Sequence, residues 1–264
     1  DWSSDVCSSD LPGMLIITLA FIVHVGFKVG LHSTFIEVIY KVLQTPLQGL
    51  SDSFGGAIAI ALLISLFWWC GIHGATIIGG IMGPILQSNG LANQEVFNSG
   101  AKLVAGQNAA IVTNQFVDQF ITFGGSGLTL GLVCTMLYFS KSRQYKELGK
   151  LSIIPGLFNI NEPIIFGFPV VFNPIMAIPF ILAPVISVIM VYTSIATGIV
   201  EPFRAISVPW TTPFIISGFL IGGVKAAILQ IAVFSMTVAV YFPFFKYQDK
   251  LAAQEESKEV ATAN

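Results

Sequence analysis

Apolar residues dominate this chain in long blocks, and polar residues fall into a few short islands between them. Five stretches hold the roughly 20 mainly apolar residues that a helix needs to cross a ~30 Å hydrocarbon layer: 14–30, 55–83, 121–140, 169–199 and 211–245. The pattern predicts an all-α, polytopic membrane protein with transmembrane helices. Residues 33–54 differ, because Glu37, Lys41, Gln44, Gln48 and Asp52 recur among apolar positions. That spacing predicts an amphipathic helix lying at the membrane interface. The stretch from Lys246 to the far end, 246–264, reads as a polar, solvated tail.

Composition agrees with the pattern. Only 10% of the residues are charged and 54% are hydrophobic, against about 25% charged in soluble domains, and the mean hydropathy is +0.80. The opening "DWSSDVCSSDL" stands apart, with no periodicity of either secondary-structure kind. Read back into codons, it resembles a widely used sequencing-library adapter in one frame, so residues 1–11 are expected to be non-native and the protein proper a C-terminal fragment from Pro12. Without Asp1, Asp5 and Asp10 the formal charge moves from −2 to +1. No charge bias points to nucleic acid. Cys70 and Cys134 lie in apolar runs without metal-ligand spacing, so neither a metal nor a cofactor is expected.

Basic residues in short loops orient a membrane protein. "KSRQYKELGK", residues 141–150, carries Lys141, Arg143, Lys146 and Lys150 against Glu147 alone, which places it in the cytoplasm. The tail also holds lysines and is expected on the same side. Two crossings, 169–199 and 211–245, separate them, so 151–168 has no crossing to make and should be re-entrant. "NINEP" at 159–163 would then sit near its tip. Pro155-Gly156 and Pro163 interrupt the helix there, and Glu162, preceding a proline, is expected to be extended. Broken helices of this kind build substrate sites in transporters. An ionisable residue at that depth is a functional candidate.

Other signals are weaker. His73 lies among Gly71, Gly74, Gly79, Gly80 and Gly83, a pliable stretch open to close approach. Trp210 offers an apolar platform with a polar N–H and competes with an interfacial reading; Trp68 and Trp69 are ambiguous in the same way. Asp118 lines a pathway or caps a hairpin. "GGSGLTLG", 124–131, follows no strand pattern and reads as close helix packing.

"GLFNINEPIIFGFPVVFNPIMAIPFILAPV" (156–185) resembles the hallmark of the membrane subunit, IIC, of the lactose/cellobiose (diacetylchitobiose) family of bacterial sugar phosphotransferase systems. "WWCGIHG" (68–74), "FVDQFITFGGSGLTLGL" (116–132) and "VPWTTPFIISGFL" (208–220) are similar to the same family. The resemblance implies a homodimeric helical permease of the bacterial cell membrane, with re-entrant hairpins, moving a β-linked disaccharide inward. A IIB partner bearing a phosphocysteine, charged by IIA, would phosphorylate the sugar. By motif position the substrate residues fall on His73, Asn161, Glu162 and Trp210, with Glu162 near the accepting hydroxyl. Glu162 would act there as a general base or as an orienting ligand. The implied organisation is a remnant of the dimerisation region at 12–54, a substrate-binding transport domain at 55–245, and a cytoplasmic tail at 246–264. A proton-coupled secondary sugar transporter, with Glu162 and His73 as carriers, is the alternative.

Overall fold

The structure is a computed structural model that describes residues 2–30, 33–34 and 51–263. The chain divides into two compact units, 1–49 and 50–264. In the first, α1 (Trp2–Gly30) is a single helix. Its stretch Gly13–Gly30 is long and apolar enough to cross a membrane, and none of it is buried. Met14, Ile16 and Ile17 are all exposed, so this surface suits lipid or another protein rather than water. Residues 2–11 belong to the same helix, although their sequence shows no helical period. A nucleated helix propagates through residues of ordinary propensity at small cost per residue. The amphipathic helix expected over 33–54 falls mainly outside the described residues.

Among the described residues of the second unit the regular elements are all helices, joined by irregular stretches that include one isolated bridge. Its elements are α2 (Phe54–Trp69), α3 (Gly74–Asn98), a single α-turn α4 (Asn114–Phe116) running into a π-turn (Val117–Ile121), and α5 (Leu130–Phe139). Then follow α6 (Arg143–Leu157), α7 (Glu162–Gly167), α8 (Pro174–Ala196) and α9 (Ile216–Ala263). Helix α8 packs on α2 and α9, and α5 packs on α6 and α9. Phe116, Phe120, Phe123 and Phe180 fill the core between them. With α1, helices α8 and α9 are the three among the described residues long and apolar enough to span a bilayer.

Three of the five expected spans are broken. The run 55–83 is divided between α2 and α3 at 70–73, and 121–140 contains a coiled turn before α5. The run 211–245 holds a break at Gly222 and Gly223, whose backbones are non-helical. Hydropathy registers the apolar layer but is blind to glycine breaks, which tertiary contacts decide. The segment 151–168 does turn back. Gly167 approaches Leu148, and the Phe168 ring lies 4.8 Å from that of Tyr145, at the start of α6.

The residues after Lys246 are not a loose tail. They continue α9 to Ala263 and fold against the start of α6. Asp249, 1% exposed, accepts from the Ser140 hydroxyl (2.7 Å), the Lys141 amide (2.9 Å) and the Ser142 amide (3.0 Å). Two turns further on, Glu256 accepts from the Ser142 hydroxyl (2.6 Å) and the Arg143 and Gln144 amides (3.0 and 3.1 Å). These are the amides that a helix start leaves unpaired. The two carboxylates clasp α6 to α9.

Asp249→Ala therefore strands buried donors, at about 2 kcal/mol. The thermal midpoint of the detergent-purified protein is expected to fall by about 4–8 °C. Glu256→Ala, at a more solvated position, should cost less. Equal, negligible losses in thermal unfolding would mean that the clasp does not hold α6.

Candidate functional site

The first wall of the site comes from the break between α2 and α3. The Cys70, Gly71 and Ile72 amides close the end of α2 on the Leu66, Trp68 and Phe67 carbonyls. Gly74 then begins α3 so close to α2 that any Cβ would overlap the Ile64 carbonyl. Only glycine permits that approach. His73 becomes the N-cap of α3, its Nδ1 accepting from the Thr76 amide at 3.2 Å and facing the Thr76 hydroxyl at 2.8 Å. An amide can only donate, so Nδ1 carries no proton and the neutral ring holds its proton on Nε2. His73 thus presents a donor. Its ring lies 4.3 Å from the Trp68 ring. Trp68 is 4% exposed, and its Nε1 finds no acceptor among the described residues.

The second wall is the turn between α6 and α7. Pro155 and Gly156 lie in the last turn of α6, and the break follows at 158–161. The Phe158 and Ile160 amides fold back on the Pro155 carbonyl, and Asn159 takes a left-handed backbone, φ +66°, which asparagine tolerates better than most residues. Glu162 is the first residue of α7 and Pro163 the second, so Glu162 is helical rather than extended. Pro163 costs α7 no hydrogen bond, because a proline in the first helical turn has no intrahelical partner to lose.

Both asparagines of the motif are committed to backbone. Asn159 accepts from the Gly124 amide (2.6 Å) and donates to the carbonyls of Trp210 and Thr212 (3.1 Å to the latter). Asn161 donates to the Ser126 carbonyl (2.7 Å) and to the Thr129 hydroxyl (3.1 Å). The glycine-rich stretch is therefore a tight turn built to receive them. At Gly125, φ +90°, a Cβ would overlap the Asn161 side chain. Close helix packing holds beside this role: a Cβ at Gly127 would overlap Phe180 of α8, and one at Gly131 would overlap Thr237 of α9.

These walls enclose an open cavity of about 470 Å³. His73, Asn161, Glu162 and Trp210 all line it. Asn161 is only 5% exposed, with its donors already used, whereas Trp210 is 60% exposed. Sequence reasoning passed over Asn159 and set Trp68 aside. Both line the cavity, as does Asp118 from the π-turn. The signal for Asn159 was its place in the same polar motif. For Trp68 there was none beyond proximity to His73. Two carboxylates, Glu162 and Asp118, face the space, and among the described residues no Lys or Arg lines it. Flat aromatic surfaces, a histidine donor and carboxylate acceptors together suit a neutral ligand rich in hydroxyls and C–H faces.

Comparisons with known proteins converge. The family model described as "Phosphotransferase system, EIIC" matches residues 11–184. The lichenan permease IIC component of Bacillus subtilis (strain 168) is 40% identical over 249 residues, covering 94% of this chain and 54% of that protein. The cellobiose-specific EIIC component of Geobacillus stearothermophilus is 43% identical over 250 residues, covering 93% and 54%. The crystal structure of the transporter ChbC, the IIC component from the N,N'-diacetylchitobiose-specific phosphotransferase system, superposes with a TM-score of 0.77 at 41% identity, over 94% of this chain and 56% of that one. The chain spans about half the length of the curated relatives it matches.

The asparagine lock is testable by itself. Asn159→Gly relieves the left-handed backbone but removes three hydrogen bonds, so stability should fall by about 2–4 kcal/mol. Asn159→Ala should fall further, by about 1 kcal/mol, because a Cβ is retained in that backbone region. Thermal unfolding of both variants, with Trp210 fluorescence as a local report, checks the order. An unchanged Asn159→Gly protein would mean that Asn159 does not lock the turn.

Proposed function

Since the chain belongs to the EIIC family of phosphotransferase systems, we propose that it forms the sugar-binding part of a membrane permease that takes up a β-linked disaccharide. The observation that carries this reading is the single cavity shared by His73, Asn161, Glu162 and Trp210. Trp210 and Trp68 supply faces for the C–H side of a pyranose. His73 donates from Nε2, and Glu162 accepts from a hydroxyl. Asn161 acts mainly through position, because its N–H groups hold the turn at 126–129. The relatives' printed names, which include lichenan, cellobiose and diacetylchitobiose, support a β-linked glucose-type or N-acetylglucosamine-type sugar.

Uptake in this reading ends with phosphoryl transfer from the phosphocysteine of a IIB partner, itself charged through IIA. The sugar hydroxyl oxygen attacks phosphorus, the S–P bond breaks, and the partner's cysteine leaves as thiolate. The hydroxyl proton passes to the Glu162 carboxylate, or Glu162 only aligns the hydroxyl for attack. The protein's share is alignment of the hydroxyl with the incoming phosphoryl group. Cys70 and Cys134 take no part. The exposed apolar surface of α1 supports contact with lipid and with a second copy in a homodimer.

Orientation follows the basic loop. The clasp holds 249–256 beside 140–144, which supports one side for both, and the positive charge of 141–150 makes that side the cytoplasm. Gln144→Cys and Lys250→Cys, both at exposed positions, should resist a membrane-impermeant maleimide applied to intact cells. Thr197→Cys, beyond the other end of α8, should react. Labelling of Gln144→Cys from outside would reverse the assignment.

Glu162→Gln separates its two roles. A charge-assisted bond contributes roughly 1.5–3 kcal/mol and a neutral one about 0.5–1.5, so sugar binding should weaken about tenfold. Loss of a general base adds a defect of about 100-fold or more in IIB-dependent phosphorylation. Binding by calorimetry and phosphorylation of the same sugar give both numbers. If phosphorylation falls only as far as binding, Glu162 is an orienting ligand; if neither changes, it lies outside the site.

A further inference from the structure

Trp210 stands largely exposed, so packing around its ring contributes little to its placement and the backbone beneath it decides. That backbone runs from Trp210 into the first turn of α9. Asn159 holds its near end, through the Trp210 and Thr212 carbonyls. At the far end Ile215 takes a left-handed backbone, φ +72°, which a β-branched residue rarely adopts. The Ile215 and Gly218 amides lie where a helix start leaves its donors unpaired.

Both amides donate to one atom, Gln230 Oε1, at 2.6 and 3.0 Å. In a straight helix residues 218 and 230 would stand about 18 Å apart. The break at Gly222 and Gly223 folds them together, so closely that a Cβ at Gly218 would overlap the Gln230 amide. The nitrogen of that amide reaches a different wall. Gln230 Nε2 donates to the Gln119 carbonyl at 2.7 Å and to the Ser217 hydroxyl at 3.0 Å. In a π-turn the Gln119 carbonyl would look to the amide five residues on, that of Gly124, and Asn159 has taken that amide. Gln119 directly follows Asp118, which lines the cavity. Gln230 itself is fully buried, with oxygen and nitrogen both engaged.

We propose that Gln230 is a positioning residue for the sugar site, fixing the wall that carries Trp210 to the π-turn that carries Asp118. The proposal rests on the reading of the cavity as a sugar site. Gln230 touches no sugar. Its amide spans the two walls, and the Trp210 ring keeps its place over a pyranose while that span holds.

Gln230→Met keeps the volume and removes every polar contact. Gln230→Asn keeps the amide but is one carbon too short to reach both walls, and serves if Gln230→Met fails to fold. The first measurement needs no sugar. Amide hydrogen exchange over 211–214, which Gln230 does not touch, should quicken about tenfold or more in either variant. The second is calorimetry with cellobiose and N,N'-diacetylchitobiose on the detergent-purified protein. Binding of whichever sugar the parent takes should weaken about tenfold, while Asp249→Ala, destabilised at a remote point of α9, keeps the parent's affinity. In a Trp210→Ala background either Gln230 change should cost less than about twofold more, because the group it positions is gone. A parent that binds neither sugar counts against the permease reading, and exchange over 211–214 still decides whether Gln230 sets that wall. Unchanged exchange there, or a full tenfold loss added to that of Trp210→Ala, would overturn the proposal.

Discussion

A helix that stops inside an apolar layer exposes amides and carbonyls that lipid cannot satisfy, and everything around the cavity follows from how those groups are paired. The answer lies largely with one side chain. Asn159 satisfies the Gly124 amide and the carbonyls of Trp210 and Thr212, so a single amide group joins three separated stretches of chain. Asn161 repeats the device on Ser126 and Thr129. The polar wall of the cavity exists because these breaks needed polar side chains. The open faces of the same residues are then available to a ligand.

Electrostatics gives the cavity its character. Glu162 and Asp118 both face it, and no Lys or Arg lines it among the described residues. His73 is fixed as a donor by the Thr76 amide. The site thus offers acceptors in excess and one oriented donor, a pattern suited to hydroxyl groups and unfavourable to anions. Its geometry is set by helix ends, whose positions depend on packing of whole elements. A ligand meets an arrangement made in advance rather than flexible side chains gathered on binding.

The membrane class and the hairpin at 151–168 were legible in the sequence, because charge scarcity and a polar cluster inside an apolar run are local signals. His73 and Glu162 stood out for the same reason. What was not legible depended on distant partners. The split of 55–83 turns on Gly74 meeting the Ile64 carbonyl, a contact that no hydropathy window weighs. Asn159 and Asn161 looked equivalent as letters, yet both are structural donors first, which only the positions of Gly124 and Ser126 reveal. The helical backbone of Glu162 reversed a sound local rule, since the chain had already broken at Asn159. The stretch after Lys246 misled for a different reason: its polarity reads as solvated, but Asp249 and Glu256 face amides about a hundred residues upstream.

That clasp sets an order of events during synthesis. Lys141 leaves the ribosome 108 residues before Asp249, an interval of roughly 5–20 s at ordinary elongation rates. Throughout it, the amides of Lys141 and Ser142 must be served by water or by a substitute. The re-entrant hairpin can insert early, but its anchoring waits until the polar turns of α9 have been made. Only the emergence of residues 249–256, rather than insertion of the apolar part of α9, gives the amides at 141 and 142 their permanent partner.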